Sequence, residues 1–459
     1  MKILLLNPPG DDVYIRDYFC SKTTKSNYLF HPIDLVMLSG TLSTEHEVVV
    51  LDAIAERIDR AEARKRIDRL APDVVVSLVG AVSWDEDRAF LGQIAEIARV
   101  FAIGDICQED GVGLLEREPW CEGILHVFVN ADLLHYLAGS LEAIEDMTVR
   151  GASGPERLQR LAPKRRRGEF AVARPRHELF QSDGYSFSFA RSKNFATVLT
   201  DYGCPYPCTF CVIGTLGFQT RSVDEVLEEI DSLRARGTTE LFVMDQTFGV
   251  KRERALELCR AFEERGDLSW TTFTRPDTAD DELLAAMKAA GCHTVIMGVE
   301  SGDDAVLAAY KKGYVVDEVT TGIRRAKRHG LEVVGTFVLG LPEETEDSLE
   351  RTFDLALALE LDYMSLNVAV PRFGTPFRSQ ALELGLCEEK DLVMDQAGAE
   401  AFLPTTTLDR ERVLALKKRM IRRFYLRPGY LWRRLKGIRT PHQLVSQARE
   451  GWSLLRRNV

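Results

Sequence analysis

Along the first 147 residues, short apolar runs rich in β-branched residues alternate with stretches whose apolar positions recur every three or four residues. KILLLN (2–7), EVVVLD (47–52), DVVVSLV (73–79), VFAIGD (100–105) and GILHVFV (123–129) have the length and content of buried strands. Between them, AERIDRAEARKRIDRL and RAFLGQIAEIARV carry the helical period. Buried strands separated by amphipathic helices predict an α/β domain with a doubly wound, Rossmann-like parallel sheet, whose ligands are expected at the carboxyl ends of the strands. A second series starts near residue 194: FATVLTD (195–201), ELFVMD (240–245), WTTFT (270–274), TVIMGVE (294–300), EVVGTFVLG (332–340) and YMSLNVAV (363–370), separated by helical stretches such as VDEVLEEIDSLRAR. Six β-α repeats predict an open, partial (β/α)6 barrel with its chemistry at the carboxyl-end rim. The expected domains are therefore residues 1–147, a linker over 148–190, a barrel over 191–400 and a basic helical segment over 401–459. The linker has scattered Pro and Gly and a basic cluster, Lys164 to Arg167, which reads as solvated surface.

A chain of 459 residues can bury two or three cores, and 45% apolar with 28% charged residues is ordinary for a globular protein. No apolar run approaches the ~18 residues of a spanning helix. Asn7-Pro8-Pro9 interrupts the first apolar run too early for a signal-peptide core, so a cytoplasmic location is expected. The net charge of −11 is unevenly spread: Asp409–Val459 holds fifteen Lys/Arg against three Asp/Glu, leaving −23 on the first 408 residues. KKRMIRRFYLRPGYLWRRLKGI (417–438) interleaves those cations with aromatic and apolar residues. Such a segment can dock on the acidic body, or lie on an anionic membrane surface and meet a lipid-like substrate. Nucleic acid is not expected, because no recognition module accompanies the charges.

Nine cysteines are present, and three fall within eight residues of DYGCPYPCTFC (201–211). Cys20, Cys107, Cys121, Cys259, Cys292 and Cys387 each stand alone and read as structural. Cys204-x3-Cys208-x2-Cys211 differs from the paired C-x-x-C units of structural zinc, and a fourth ligand such as His177 or His293 would have to come from far away. Soft thiolates suit zinc or an iron–sulfur cluster. Three ligands on a [4Fe–4S] cube leave one iron open to a substrate. The loop directly follows the first strand of the second series, at the rim.

At these residues the chain resembles the radical S-adenosylmethionine (SAM) enzymes. The cysteine motif has an aromatic residue, Phe210, before its last ligand, and further segments match in order over roughly residues 190–385. Met244-Asp245-Gln246 ends the second barrel strand, where the resemblance implies contact with the amino group of the cofactor. Glu300 and Ser301, in GVESG, correspond to polar contacts to the cofactor, while Gly335 and Gly340, in GTFVLGLP, lie in the segment that packs beside the adenine. PRFGTP (371–376) follows the sixth strand, as is usual there. The resemblance implies reductive cleavage of SAM to a 5′-deoxyadenosyl radical, with electrons from an external flavodoxin- or ferredoxin-type donor. An ionised Asp245 would bond the ammonium with charge assistance. Other readings stay open: Asp245 also suits a helix N-cap, Gly335 and Gly340 suit packing, and Arg275 can contact a carboxylate or pair with a nearby acid.

MKILLLNPPG, HPIDLVMLSGTL, VVVLDA and PRHELF resemble the cobalamin-binding subgroup of that family. The Asp-x-His-x-x-Gly motif is absent, Gly104-Asp105 stands where Gly-Gly is usual, and Val129-Asn130-Ala131-Asp132 replaces Gly-Glu-Gly-Glu. The resemblance points to Asn7, Ser77 and Gly104 as the strand-end residues nearest a corrinoid, against the alternative of a degenerate domain kept as scaffold. It implies cobalamin-dependent methylation of an unactivated carbon. Cyclisation, oxidation or carbon–carbon bond formation on a lipid or small metabolite is the alternative chemistry. A non-catalytic iron–sulfur or zinc protein is the alternative of another class.

Overall fold

The computed structural model describes residues 1–18, 21–22, 28–391, 395, 403–437 and 451. Cys20 and the tail beyond Gly437, apart from Gly451, lie outside the described residues. In the front domain the strands β1 (Lys2–Asn7), β2 (Glu47–Asp52), β3 (Val74–Val79), β4 (Arg99–Gly104) and β5 (Cys121–Leu125) pair in parallel in the order β2-β1-β3-β4-β5. Both faces are apolar because both are covered: Ile3 and Leu5 enter one core while Leu4 and Leu6 enter the opposite one.

Two further strands, β6 (Asp146–Gly151) and β7 (Gly154–Gln159), add antiparallel to the β5 edge. This corrects the expected boundary at 147 and the start of the linker. β7 reads GPERLQ, a polar edge strand with no apolar alternation, so periodicity does not reveal it. The hairpin is held by Asp146, fully buried, which accepts from Arg157 at 2.8 and 3.0 Å and from Arg166 at 2.6 Å. Arg166, expected on the solvated surface, is thus buried in an ion pair, while its neighbours Lys164, Arg165 and Arg167 are exposed.

The second sheet is β8 (Phe195–Val198), β9 (Glu240–Val243), β10 (Ser269–Thr274), β11 (Cys292–Glu300), β12 (Glu332–Leu339) and β13 (Tyr363–Val368), all parallel and in chain order. β8 and β13 do not pair, so the barrel is open, as expected. Leu241, Val243, Trp270, Val295, Met297, Val333 and Phe337 face the helix layer. Phe242, Met244, Ile296 and Val334 face inward and share one apolar core with the front domain. The chain at Leu29–His31 enters this inner space: Leu29 and Ser186 exchange main-chain bonds of 2.7 and 2.8 Å, and the Phe30 ring lies 5.5 Å from that of Phe242.

The described part of the basic segment docks on the acidic body. Helix Arg410–Tyr425 buries Val413, Leu416, Met420 and Phe424 in the barrel's outer core. Its Arg412, Arg419 and Arg423 pair with Glu346, Glu350 and Asp354 of helix Glu346–Ala358. The Tyr425 hydroxyl accepts from Met364 N at 3.0 Å and donates to Met364 O at 2.7 Å, which satisfies the open edge of β13. Among the described residues no helix is long and apolar enough to cross a membrane.

Candidate functional site

The three clustered cysteines leave the carboxyl end of β8 on a small hairpin in which Asp201–Gly203 pairs with Phe218–Thr220. Gly203 has φ of +82°, and a Cβ there would stand 2.0 Å from Gly217 O, so only glycine lets the two limbs close. Cys204 N donates to Gly217 O at 2.8 Å. Further along, Thr209 N donates to Tyr310 O and Thr209 O accepts from Phe377 N, each at 3.1 Å, so the loop is tied to the turn before Lys311 and to helix Pro376–Glu383. Cys204 and Cys211 are half-buried and Cys208 is buried. Burial, together with Cys204 and Cys208, pushes the Cys211 thiol up to about 12, and burial and Cys208 also raise Cys204. Among the described residues no three His, Cys, Asp or Glu side chains make a site for a single metal ion. His177 bonds Glu229 at 2.7 Å and His293 bonds Glu240 at 3.0 Å, so neither serves the cysteines. With both histidines engaged elsewhere, the three thiols offer the donor set of a four-iron cube in which three irons each take one cysteine and the fourth takes none. Cys107, Cys121, Cys259, Cys292 and Cys387 are buried apart from this loop.

Asp245 has a different task from the one expected. It is fully buried, and its Oδ1 accepts from Thr200 N at 2.6 Å and Asp201 N at 3.0 Å while Oδ2 accepts from the Thr200 hydroxyl at 2.5 Å. It hangs the root of the cysteine hairpin on the end of β9. Burial raises its carboxyl above the ordinary range against the pull of those bonds, and the adjacent Asp201 is raised further by burial and by Asp245 itself. Ser301 is likewise turned away: its hydroxyl lies 3.3 Å from that of Thr352 and accepts from Asp303 N at 3.2 Å. Gly335 faces the helix layer, where a Cβ would stand 2.5 Å from Leu361, so it is a packing glycine.

Gly340, Glu300 and Phe210 do stand at the rim. Gly340 has φ of +84°, and its N–H donates to Glu344 Oε2 at 2.7 Å, as does Leu341 N at 3.0 Å. Glu300 ends β11 at a register shift with φ of +63°, a conformation that costs a non-glycine residue about 1 kcal/mol and that clusters at functional sites. Its Oε1 accepts from Lys312 Nζ at 2.7 Å. That ammonium lies 5.6 Å from the Phe210 ring centre and 5.5 Å from that of Tyr314. Arg275 is stacked 3.7 Å over Tyr206, within the cysteine loop, and pairs with Asp277 at 2.8 and 2.9 Å, which decides between its two readings. Lys312 was invisible in the sequence, since Lys311-Lys312 looks like a solvated pair and only the fold brings it beneath the loop.

In the front domain the crevice where strand order reverses, between β1 and β3, is filled by the chain itself. Arg16 and Asp87, both fully buried, pair at 2.7 Å, and Arg16 also donates to Asn7 Oδ1 at 2.9 Å. Asn7 in turn donates to Asp52 at 2.9 Å. Ser77 is fully buried and bonds Leu78 O at 3.0 Å, while a Cβ at Gly104 would stand 1.8 Å from Val79 O. Asn7 thus has both polar atoms of its side chain engaged within the protein, and the Ser77 hydroxyl makes a local bond. The loop after β5 is different: the His126 Nδ1 and Asn130 Nδ2 atoms are buried without partners. It meets the cysteine hairpin through Tyr18, whose hydroxyl is 3.3 Å from His126 O and 3.1 Å from the Tyr202 hydroxyl.

The sequence pattern of the Radical SAM superfamily matches residues 198–356. Over 94% of each chain, the protein is 29% identical to an uncharacterized methyltransferase of Pyrococcus horikoshii. It is 26% identical to the cytidylyl-2-hydroxyethylphosphonate methyltransferase of Streptomyces wedmorensis, over 54% of this chain and 49% of that one. In structure it resembles the radical SAM methyltransferase TsrM of Kitasatospora setae, solved with cobalamin and a [4Fe–4S] cluster, at TM-score 0.68 and 19% identity over 83% of this chain and 78% of that one. It also resembles the cobalamin-dependent radical enzyme OxsB, solved with aqua-cobalamin and SAM, at TM-score 0.70 and 16% identity over 99% of this chain and 71% of that one. Barrel, cysteine loop and matched segment all fall on the same stretch of the chain. Residues 198–356 thus form a radical SAM domain, and the front sheet and barrel are arranged as in the two cobalamin-dependent enzymes just named.

Proposed function

We propose that this enzyme cleaves SAM reductively at a [4Fe–4S] cluster held by Cys204, Cys208 and Cys211, and methylates an unactivated carbon with cobalamin as a second cofactor. The observation that carries the reading is the triad of thiols on a loop pinned to β8, β9 and the turn before Lys311, with His177 and His293 both engaged elsewhere. When bound, the cluster supplies one electron to the sulfonium and the corrinoid carries the methyl group. The chain holds and orients these groups. The raised Cys211 thiol would keep its proton until a metal took the sulfur, the proton then leaving to solvent. Phe210, Glu300 and the Gly340 turn are the cofactor contacts we assign at the rim. For the corrinoid we assign the loop after β5, because His126 Nδ1 and Asn130 Nδ2 are buried polar atoms in want of a partner. The name of the full-length relative and the fold shared with TsrM support methyl transfer. A small or lipid-like organic substrate and an external one-electron donor of flavodoxin or ferredoxin type complete the proposal.

Anaerobic reconstitution should give about four irons per chain, and Cys208→Ala should lose that content. A variant retaining full iron would refute the ligand assignment. Reduced protein given SAM should release 5′-deoxyadenosine, and protein purified with hydroxocobalamin should keep a corrinoid absorption band. Absence of the band would withdraw cobalamin and methylation while leaving the cluster in place.

A further inference from the structure

The cysteine loop is flanked by two buried cations that no ligand assignment uses. Lys312 is 9% exposed and Arg275 6%. Each lies over one of the aromatic residues set between the cysteines: Lys312 over Phe210, between Cys208 and Cys211, and Arg275 over Tyr206, between Cys204 and Cys208. The two are coupled, since Arg275 Nη2 donates to Lys312 O at 2.9 Å. Each also has a carboxylate partner, Glu300 for Lys312 and Asp277 for Arg275. Burial pulls the Lys312 ammonium toward neutrality, but Glu300, Tyr314 and Cys208 outweigh it and hold the charge firmly in place.

Three thiolates around an oxidised four-iron cube carry a net charge of about −1, and a one-electron reduction makes it about −2. A fixed positive charge beside such a group favours the more negative state, and does so more strongly in a buried site than in water. We propose that Lys312, backed by Arg275, is a positioning charge that raises the reduction potential of the cluster, with Glu300 moderating it as the counter-charge. The electron comes singly from the external donor and goes to the cluster, and no bond of the chain forms or breaks. This inference rests on the cluster reading above. It adds that the loop's environment is tuned for accepting an electron, apart from any contact to SAM.

The test is a dithionite redox titration of the reconstituted full chain without SAM, followed by the paramagnetic signal of the reduced cluster, with iron content measured on each sample. Lys312→Met should move the midpoint to more negative potential at unchanged iron content. Lys312→Arg should restore it, and Glu300→Gln should move it the opposite way. Lys312→Met with full iron and an unmoved midpoint would overturn the proposal while the cluster reading stands. Should that variant fail to hold iron, Glu300→Gln decides alone, a positive shift supporting the proposal and no shift or a negative one ending it. Wild-type protein without iron would instead sink the cluster reading.

Discussion

Glu344 illustrates how a single side chain can hold a rim in shape. One carboxyl oxygen accepts both the Gly340 and Leu341 amides, while the other is buried without a partner. Burial pushes its pKa up to about 8 from an ordinary 4.5 against the pull of the two amides. The folded chain therefore holds a proton that the unfolded chain releases between pH 4.5 and 8, and stability should fall as pH rises through that window, by at most about 1.4 kcal/mol per pH unit. Asp34, raised by burial to about 8 as well, acts in the same sense. Glu344→Gln, which mimics the protonated form, should flatten the melting temperature against pH between 5 and 8. An unchanged slope would show that the group is ionised in the folded state. The cysteines could be recognised from spacing alone because their function needs only one another and a metal. Asp245 could not be read correctly, because its partners Thr200 and Asp201 lie 45 and 44 residues away and meet it only where two parallel strands end side by side.

Between elements, the docking of the basic tail separates two forces. Helix Arg410–Tyr425 pairs three exposed arginines, Arg412, Arg419 and Arg423, with acidic partners, yet its buried stripe is Val413, Leu416, Met420 and Phe424. Exposed ion pairs contribute roughly 0–1 kcal/mol each, whereas truncating a buried Met to Ala costs about 2–5 kcal/mol. Met420→Ala should accordingly lower urea stability by at least about 2 kcal/mol and Glu350→Gln by less than about 1 kcal/mol. The reverse order would mean that charge rather than apolar burial seats the tail. Charge asymmetry in the sequence foretold this docking among its alternatives. The β6–β7 hairpin was hidden for the opposite reason: an edge strand with one neighbour needs no apolar face, and its anchor Asp146 is recognisable only beside Arg157 and Arg166.

At the scale of the whole molecule, front domain and barrel are not independent bodies. One apolar core runs from Ile3 and Leu5 through Tyr18, Phe128 and Tyr202 to Phe242, Ile296 and Val334. Polar contacts cross the same joint, with Arg378 donating to Glu109 at 2.7 Å and Arg372 to Tyr18 O at 3.2 Å. Removing either half would expose that core, so unfolding in urea should be a single transition by far-UV circular dichroism and tryptophan fluorescence alike. Two separated transitions would show that the joint contributes little. Under the proposed function, a continuous joint would let a cofactor on the front domain and a cluster in the barrel serve one substrate.

The order of strands and helices, the open barrel and the sulfur triad follow from the chain itself, because apolar period and motif spacing are local properties that any neighbour must respect. Which polar groups reach the triad was decided by tertiary structure. Lys312 and Arg275 gain their meaning from rings and carboxylates on other segments, Asn7 is bound to Asp52 and Arg16, and Arg16 closes a crevice that strand order alone would leave open. The reason is that a buried charge or hydrogen-bonding group takes its role from whichever partner lies within about 3 Å, and such distances exist only once the chain has folded.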